Sequence, residues 1–406
     1  MKSAQIKDIG RVVTGKTPAT AHTEYYGGDI LFVTPPDMIS GFVIQSTQRT
    51  ITDEGLRSIR SNSINGRSIL VSCIGDIGRV AITESTCATN QQINAITDIN
   101  DDLYDAWYVY YKVSTLKSRF LSCAGCTVVP ILAKSAFEEV EISDIPPLDE
   151  QKKISSVLST IDRKIALNRK RIATLEAMAK EIYDYWFVQF DFPDAHGRPY
   201  KSSGGAMVYN PDLKREIPKG WEVGCLADIA LYPKETVRSD AIDINHYVTT
   251  DSLLQGKKGR AQAENLPPVP VSLVAFQKAD TLVANIRPYL KKLWYASESG
   301  GCSQDVLVFR PICSELAPLV HSILWQDAFF DYVMAAAKGS KMPRGDKAHI
   351  LAYPISLPDN KVARRFGETV EKFYAWRECA LKESELLSSL RDFLLPLLMN
   401  GQVKVA

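Results

Sequence analysis

The sequence predicts an α+β chain: two similar α/β domains, each followed by a long helix, the two helices packing as an antiparallel coiled coil with pseudo-two-fold symmetry. Three observations predict it: self-similarity at a period of about 210 residues, strand-like segments at matching places in both halves, and a heptad seam after the first set. A repeat this long exceeds the roughly 20–50 residues of a solenoid unit and marks a duplicated domain. A length of 406 residues suits two or three domains.

The repeat is read in chain order. Ile6-Lys7-Asp8-Ile9 resembles Leu226-Ala227-Asp228-Ile229. Ser68 to Ile74 (SILVSCI) resembles Asp280 to Ile286 (DTLVANI), both β-branched runs with the alternation of strands. Gly78-Arg79-Val80-Ala81 then matches Lys291-Lys292-Leu293-Trp294, and Thr89-Asn90-Gln91-Gln92 matches Cys302-Ser303-Gln304-Asp305. Ala124-Gly125-Cys126-Thr127 leads to Pro130 as Lys338-Gly339-Ser340-Lys341 leads to Pro343. Each half reaches an apolar–proline junction, Ile145-Pro146-Pro147 and Leu357-Pro358-Asp359, and ends in a helical pattern.

In the first helix, Ile154, Leu158, Ile161, Ile165, Asn168, Ile172, Leu175, Ala179, Ile182 and Trp186 are spaced alternately by four and three. Asn168 is the polar exception and has two readings: a buried seam residue that fixes register, or a residue facing water. The second helix is less regular, with Arg377, Ser384 and Arg391 at seam positions. Pro396 should kink or end it at its last turn, and Gly401 supplies a stop. The glycine- and serine-rich stretch 193–216 is the best linker candidate. The expected boundaries are 1–147, a helix over 148–187, a linker over 188–216, a second domain over 217–360 and a second helix over 361–406. A helix of roughly 37 residues spans about 55 Å, long enough to separate two DNA half-sites ~34–36 Å apart.

Composition narrows function. No apolar run approaches a membrane span, and the first residues lack the apolar core of a signal peptide, so a cytoplasmic protein is expected. The eight cysteines are scattered, with one C-x-x-C at Cys123 and Cys126 and no second ligand pair for a metal, so no metal is expected. The net charge is +1, and residues 1–147 carry 13 basic and 16 acidic side chains, net −3. A strong free-standing DNA binder needs more phosphate-neutralising charge than that. Any DNA reading must rely on local patches or on a partner's grip.

The segment from Gly10 to Thr17 (GRVVTGKT) fits the phosphate-loop pattern literally. Its context fails: Pro18 follows at once, no amphipathic helix comes after, and the preceding stretch is too short for a central strand. The amino-methylation tetrapeptide (Asn or Asp, Pro, Pro, aromatic) is missing, since Thr34-Pro35-Pro36-Asp37 and Ile145-Pro146-Pro147-Leu148 lack both its ends. There is no G-x-G-x-x-G, and the five histidines form no His-x-x-x-His.

The string Ile145 to Asp162 (IPPLDEQKKISSVLSTID) resembles the start of the spacer helix in specificity subunits of Type I restriction–modification enzymes, and Glu181 to Phe187 (EIYDYWF) resembles its end. Gly66 to Val80, Asn90-Gln91-Gln92 and the stretch from Gly125 to Pro130 match that family's target-recognition pattern. The second copy departs from it, with Leu357-Pro358-Asp359-Asn360 lacking the Glu150-Gln151 pair. The resemblance implies a non-catalytic subunit without cofactors that recognises a bipartite double-stranded DNA target. It also implies two methyltransferase and two restriction subunits as partners. Helix-end aromatics Tyr183, Tyr185, Trp186 and Phe187 are docking candidates, or else they close the domain–helix core.

Base readout uses Arg or Lys for guanine and Asn or Gln for adenine. The DNA-binding candidates in the first half are Lys16, Thr17, Thr20, Arg79, Asn90, Gln91 and Gln92. In the second they are Lys257, Lys258, Arg260, Arg287, Lys291, Lys292, Gln304, Lys341 and Arg344. Tyr289, Trp294 and Tyr295 fit core packing better than stacking on an extruded base. Two other classes compete: a coiled-coil scaffold whose domains bind proteins, and an autonomous nucleotide-binding enzyme using Lys16.

Overall fold

The computed structural model describes residues 2–39, 42–125 and 129–405. The first copy opens with β1 (Lys2–Gln5), the single turn α1 (Ile6–Ile9), β2 (Arg11–Thr14), β3 (Tyr26–Val33), β4 (Arg49–Ile51) and α2 (Asp53–Ser58). It continues with β5 (Ser68–Ser72), β6 (Val80–Thr83), β7 (Cys87–Thr89), β8 (Ile93–Thr97), α3 (Ala106–Ser114), α4 (Lys117–Ser122), α5 (Lys134–Glu138) and β9 (Glu141–Ile145), before the long α6 (Leu148–Tyr183). A hairpin of β10 (Met207–Asn210) and β11 (Arg215–Pro218) precedes the second copy. That copy holds β12 (Glu222–Cys225), β13 (Ala230–Leu231), β14 (Thr236–Arg238), β15 (Tyr247–Val248), β16 (Ser272–Phe276), β17 (Thr281–Ala284), β18 (Leu293–Tyr295), β19 (Gly300–Cys302) and β20 (Val306–Pro311). It closes with α7 (Ala317–Trp325), α8 (Asp327–Ala335), α9 (Lys347–Leu351), β21 (Pro354–Leu357) and α10 (Asn360–Met399).

The duplication is visible in strand order. The main antiparallel sheet runs β2-β8-β5-β6 in the first copy and β13-β20-β17-β18 in the second. Each copy also pairs its first strand with its last, β1 with β9 and β12 with β21. The turn after that first strand is closed the same way: Gln5 N donates to Asp8 Oδ2 at 3.1 Å, and Cys225 N to Asp228 Oδ2 at 2.7 Å. Period-two alternation sends β5 side chains to two cores: Ile69 and Val71 join the helix-side cluster with Phe120 and Phe137, while Leu70 joins Val33 and Cys87. In β17, Val283 takes the helix side and Leu282 the other.

The chain divides into two compact units, Met1–Lys170 with Leu381–Ala406, and Arg171–Ala380. Each unit therefore takes one copy plus a length of both long helices. Within the first unit Asp162 accepts from Arg391 at 2.9 Å and Asn168 Nδ2 donates to Glu383 at 2.7 Å, so the two helix segments run antiparallel. Within the second, Arg377 donates to Glu176 at 2.6 Å and Phe366 packs against Tyr183, again antiparallel. Ile154, Leu158, Ile161 and Ile165 are all buried, and Asn168 is 1% exposed, which settles its two readings in favour of the inward one.

One expectation needs correction, and two open readings are resolved. The stretch 193–216 is no loose linker: Asp191 accepts from Ser202 N at 2.7 Å and from its hydroxyl at 2.6 Å, Phe192 stacks on Tyr200 and Trp221, and Met207 and Leu213 pack on the same core. Trp186 and Phe187 are buried against Phe366, so they close a core rather than present a docking face, whereas Tyr185 is 39% exposed. The helix α10 ends at Met399, so Pro396 stands in its last turn, where the sequence places the stop. Gly401, at φ 67°, then takes the left-handed position that ends it.

Candidate nucleic-acid interface

Alternating strand directions bring the C-terminal ends of β2 and β5 and the starts of β6 and β8 to one edge of the main sheet. Loops gather there through backbone bonds: Gly15 N to Ile93 O (3.0 Å), Asn90 N to Val33 O (3.2 Å), Cys73 N to Gln92 O (2.7 Å) and Gly75 N to Pro130 O (3.1 Å). The second copy repeats the last three of these bonds with Ser303 N to Val248 O (2.9 Å), Asn285 N to Asp305 O (2.8 Å) and Arg287 N to Pro343 O (2.8 Å). The bridges Gly125↔Ile131 and Lys338↔Arg344 make Lys338, not Gly339, the partner of Gly125, a one-residue shift from the sequence pairing. Cys126 and Thr127 lie outside the described residues; Cys123 is exposed.

Register equivalence carries over to side chains. Gln91 and Gln304 sit at the same place in matching turns, closed by Ile93 N to Asn90 O (3.2 Å) and Val306 N to Ser303 O (3.0 Å), and both are exposed. Arg79 Nη1 reaches Pro35 O at 3.4 Å, and its counterpart Lys292 Nζ reaches Thr250 O at 2.6 Å. These two cations thus hold one loop to another.

In the first copy the edge is dominated by amides. Thr17 Oγ1 donates to Gln91 Oε1 at 3.0 Å, Asn90 Nδ2 donates to Gln92 Oε1 at 2.8 Å, and Lys16 and Thr20 are exposed beside them. Arg79 is ion-paired with Asp76, which Lys117 also contacts, and these two cations hold the Asp76 carboxyl below its ordinary range. The phosphate-loop pattern is explained otherwise. Its middle positions are the strand β2, and a Cβ at Gly15 would meet Asn90 O at 2.1 Å, so that glycine permits close packing of two loops.

In the second copy the edge is cationic, and much of its charge is engaged. Lys257 and Lys291 both donate to Asp327, at 2.7 and 2.9 Å, which lowers its carboxyl to about 2. Arg260 pairs with Glu298 and lies over the Trp294 ring; Arg344 pairs with Asp305 at 3.2 Å and stays exposed. Lys258, Arg287, Gln304 and Lys341 are exposed. Trp294 is buried and Tyr295 packs on His321 and Tyr374, while Tyr289 is 51% exposed.

Sequence reasoning missed Asp327 and Glu298, which neutralise three of the cations it singled out, because they stand far along the chain from their partners. It also missed the role of Gln151. That buried side chain accepts from Asp105 N at 2.9 Å and donates to Leu103 O and Pro146 O at 3.0 and 2.9 Å, tying the start of α6 to the first domain.

One loop edge is built twice on one register and carries different side chains each time. A model described as the Type I restriction modification DNA specificity domain matches residues 1–177. The Type I restriction enzyme MjaIX specificity subunit of Methanocaldococcus jannaschii is 27% identical over 430 residues, covering 99% of this chain and 93% of that one. The HindI specificity subunit of Haemophilus influenzae is 32% identical over 158 residues, 37% of this chain and 34% of that one. In fold, the S subunit of a Type I restriction–modification system from M. genitalium matches with a TM-score of 0.61 at 15% identity, covering 98% and 95% of the two chains. Residues 1–177 thus match the Type I specificity domain, and the chain is similar along nearly its whole length to a Type I specificity subunit. Among the described residues, no helix is long and apolar enough to cross a membrane.

Proposed function

We propose that the chain reads a bipartite double-stranded DNA target, one half with each copy, and carries two methyltransferase and two restriction subunits to it. The observation that carries this reading is the repeated loop edge, on which Gln91 and Gln304 keep one position while the surrounding side chains change from amides to cations. Equal scaffolds with unequal tips are what two different half-targets require. The near-neutral charge of +1 fits a reader whose phosphate grip comes in part from its partners. Leu386, Leu390 and Phe393, exposed at 73%, 46% and 66% and spaced by four and three, form an apolar stripe on α10 suited to a partner helix.

The test is a map of methylated bases in cells expressing this chain with its methyltransferase, against cells lacking the chain. The expected result is a split motif with an unread gap, seen only when the chain is present. Exchanging residues 1–147 for those of another such subunit should change one half of the motif. A motif that persists without the chain removes the reading.

A further inference from the structure

At two positions of the β5–β6 turn the first copy uses glycine in the left-handed region, Gly75 at φ 78° and Gly78 at φ 83°. The second copy places Arg287 at φ 53° and Lys291 at φ 49° in the same conformation. The match is one of register: Gly75 N donates to Pro130 O and Arg287 N to Pro343 O, in turns that link paired strands. An L-residue with a long side chain is disfavoured there, and glycine is the residue without penalty, as the first copy demonstrates. Strain of this kind clusters at binding and catalytic sites, which makes the side chain that bears it the one to examine.

The two strained cations differ in what they do. Lys291 donates to Asp327 at 2.9 Å, so its placement has a structural explanation. Arg287 has none: its side chain is exposed and has no hydrogen-bond or ion-pair partner among the described residues. The other arginines of this edge, Arg260 and Arg344, are paired with Glu298 and Asp305. Beside Arg287 lie the turn bearing Gln304, through Asn285 N to Asp305 O, and Arg344, through the Ile286↔Arg344 bridge. It projects from a hairpin turn at the edge where the readout loops gather.

We propose that Arg287 reads a guanine in the half-target of the second copy, through paired donors to O6 and N7, and that the first copy makes no counterpart contact. A planar guanidinium offers two parallel N–H groups for that base edge, the commonest specific contact of a side chain with DNA. The inference rests on the DNA-reading function proposed above.

The experiment uses the full chain assembled with its methyltransferase subunits. Binding is measured to duplexes of the mapped target, each altered at one base pair, for the parent, Arg287→Gly and Arg287→Lys. Arg287→Gly should melt no lower than the parent, because glycine relieves the left-handed position. It should nonetheless lose discrimination on the order of tenfold to a hundredfold at one G·C pair of one half, with the other half unchanged. Arg287→Lys keeps the charge but not the fork, and should fail to restore that discrimination. A uniform loss across all duplexes that lysine rescues would assign Arg287 to the phosphates and overturn the proposal. So would unchanged discrimination in both variants, or a lower melting temperature for the glycine variant. If the parent complex itself shows no sequence preference, the DNA-reading function fails as well, which the variants alone do not test.

Discussion

The two copies share a strand order and differ in how each is fastened to the long helices. In the first unit the joints are polar and directional. Tyr111 donates to the buried Asp162 at 2.7 Å, Gln151 makes three hydrogen bonds, and Lys112, 5% exposed, donates to Met399 O at 2.7 Å. In the second unit the joints are largely aromatic: Phe366, fully buried, meets Tyr183, Trp186 and Phe187, with ring centroids 4.9 Å apart in the closest pair. Where Asp162 takes a phenol in one unit, Tyr374 meets the Ser322 hydroxyl at 3.0 Å in the other. The same geometry is thus held once by groups whose unmet bonds would be costly and once by buried area, which tolerates small shifts.

Substitutions sharpen this contrast. Phe366→Ala should cost about 3–5 kcal/mol in urea denaturation, more than Ile154→Ala in the first unit; the reverse order would break the comparison. Gln151→Ala strands the Asp105 N–H and should cost about 1–3 kcal/mol, with faster amide exchange confined to residues of the first unit. Gln91→Ala and Gln304→Ala should each remove about 1–3 kcal/mol of base discrimination, each in its own half of the target, read by competition with altered duplexes. Loss in both halves from either variant would show that the copies do not read separately. Asn168 Oδ1 is buried without a partner, so Asn168→Leu should raise stability by roughly 1 kcal/mol at the expense of register specificity; a lower midpoint would show that the amide is net stabilising.

The smallest effect is a pH effect. Asp327 is held at about 2 by hydrogen bonds from Lys257 and Lys291, below the roughly 3.9 of an unfolded aspartate. Its contribution is present above pH ~4 and is lost as pH falls towards 2. The melting difference between the parent and Asp327→Asn should therefore be positive at pH 6 and shrink steeply as pH falls towards 2. Because that carboxylate is 64% exposed, salt should reduce the difference as well.

What was legible in the sequence follows the range of the forces involved. The α6 seam could be read because its residues recur every three or four positions and all face one way. The paired β5 and β17 runs could be read because buried strands need continuous apolar side chains. Arg377 and Arg391 looked like breaks in the α10 pattern, yet they are where that helix meets Glu176 and Asp162, more than 200 residues away. Residues 193–216 have the composition of a linker, and the aspartates and aromatics that fix them act through partners that composition does not reveal. Free and engaged cations are alike in sequence; Lys257 and Lys258 are neighbours, and Asp327 takes only the first.

The first unit is assembled from both ends of the described chain, with Leu398 and Met399 in the same core as Ile6 and Phe120. During synthesis that core lacks Leu398 and Met399 until roughly 250 residues beyond the first copy have been made, at the chain-growth rate of about 5–20 residues per second. The second unit, Arg171–Ala380, is complete first although it is encoded later. Completion therefore runs against the order of translation: the first copy, made first, waits tens of seconds for the helix turns that close its core, and those turns follow the last residue of the second unit by roughly 1–4 seconds.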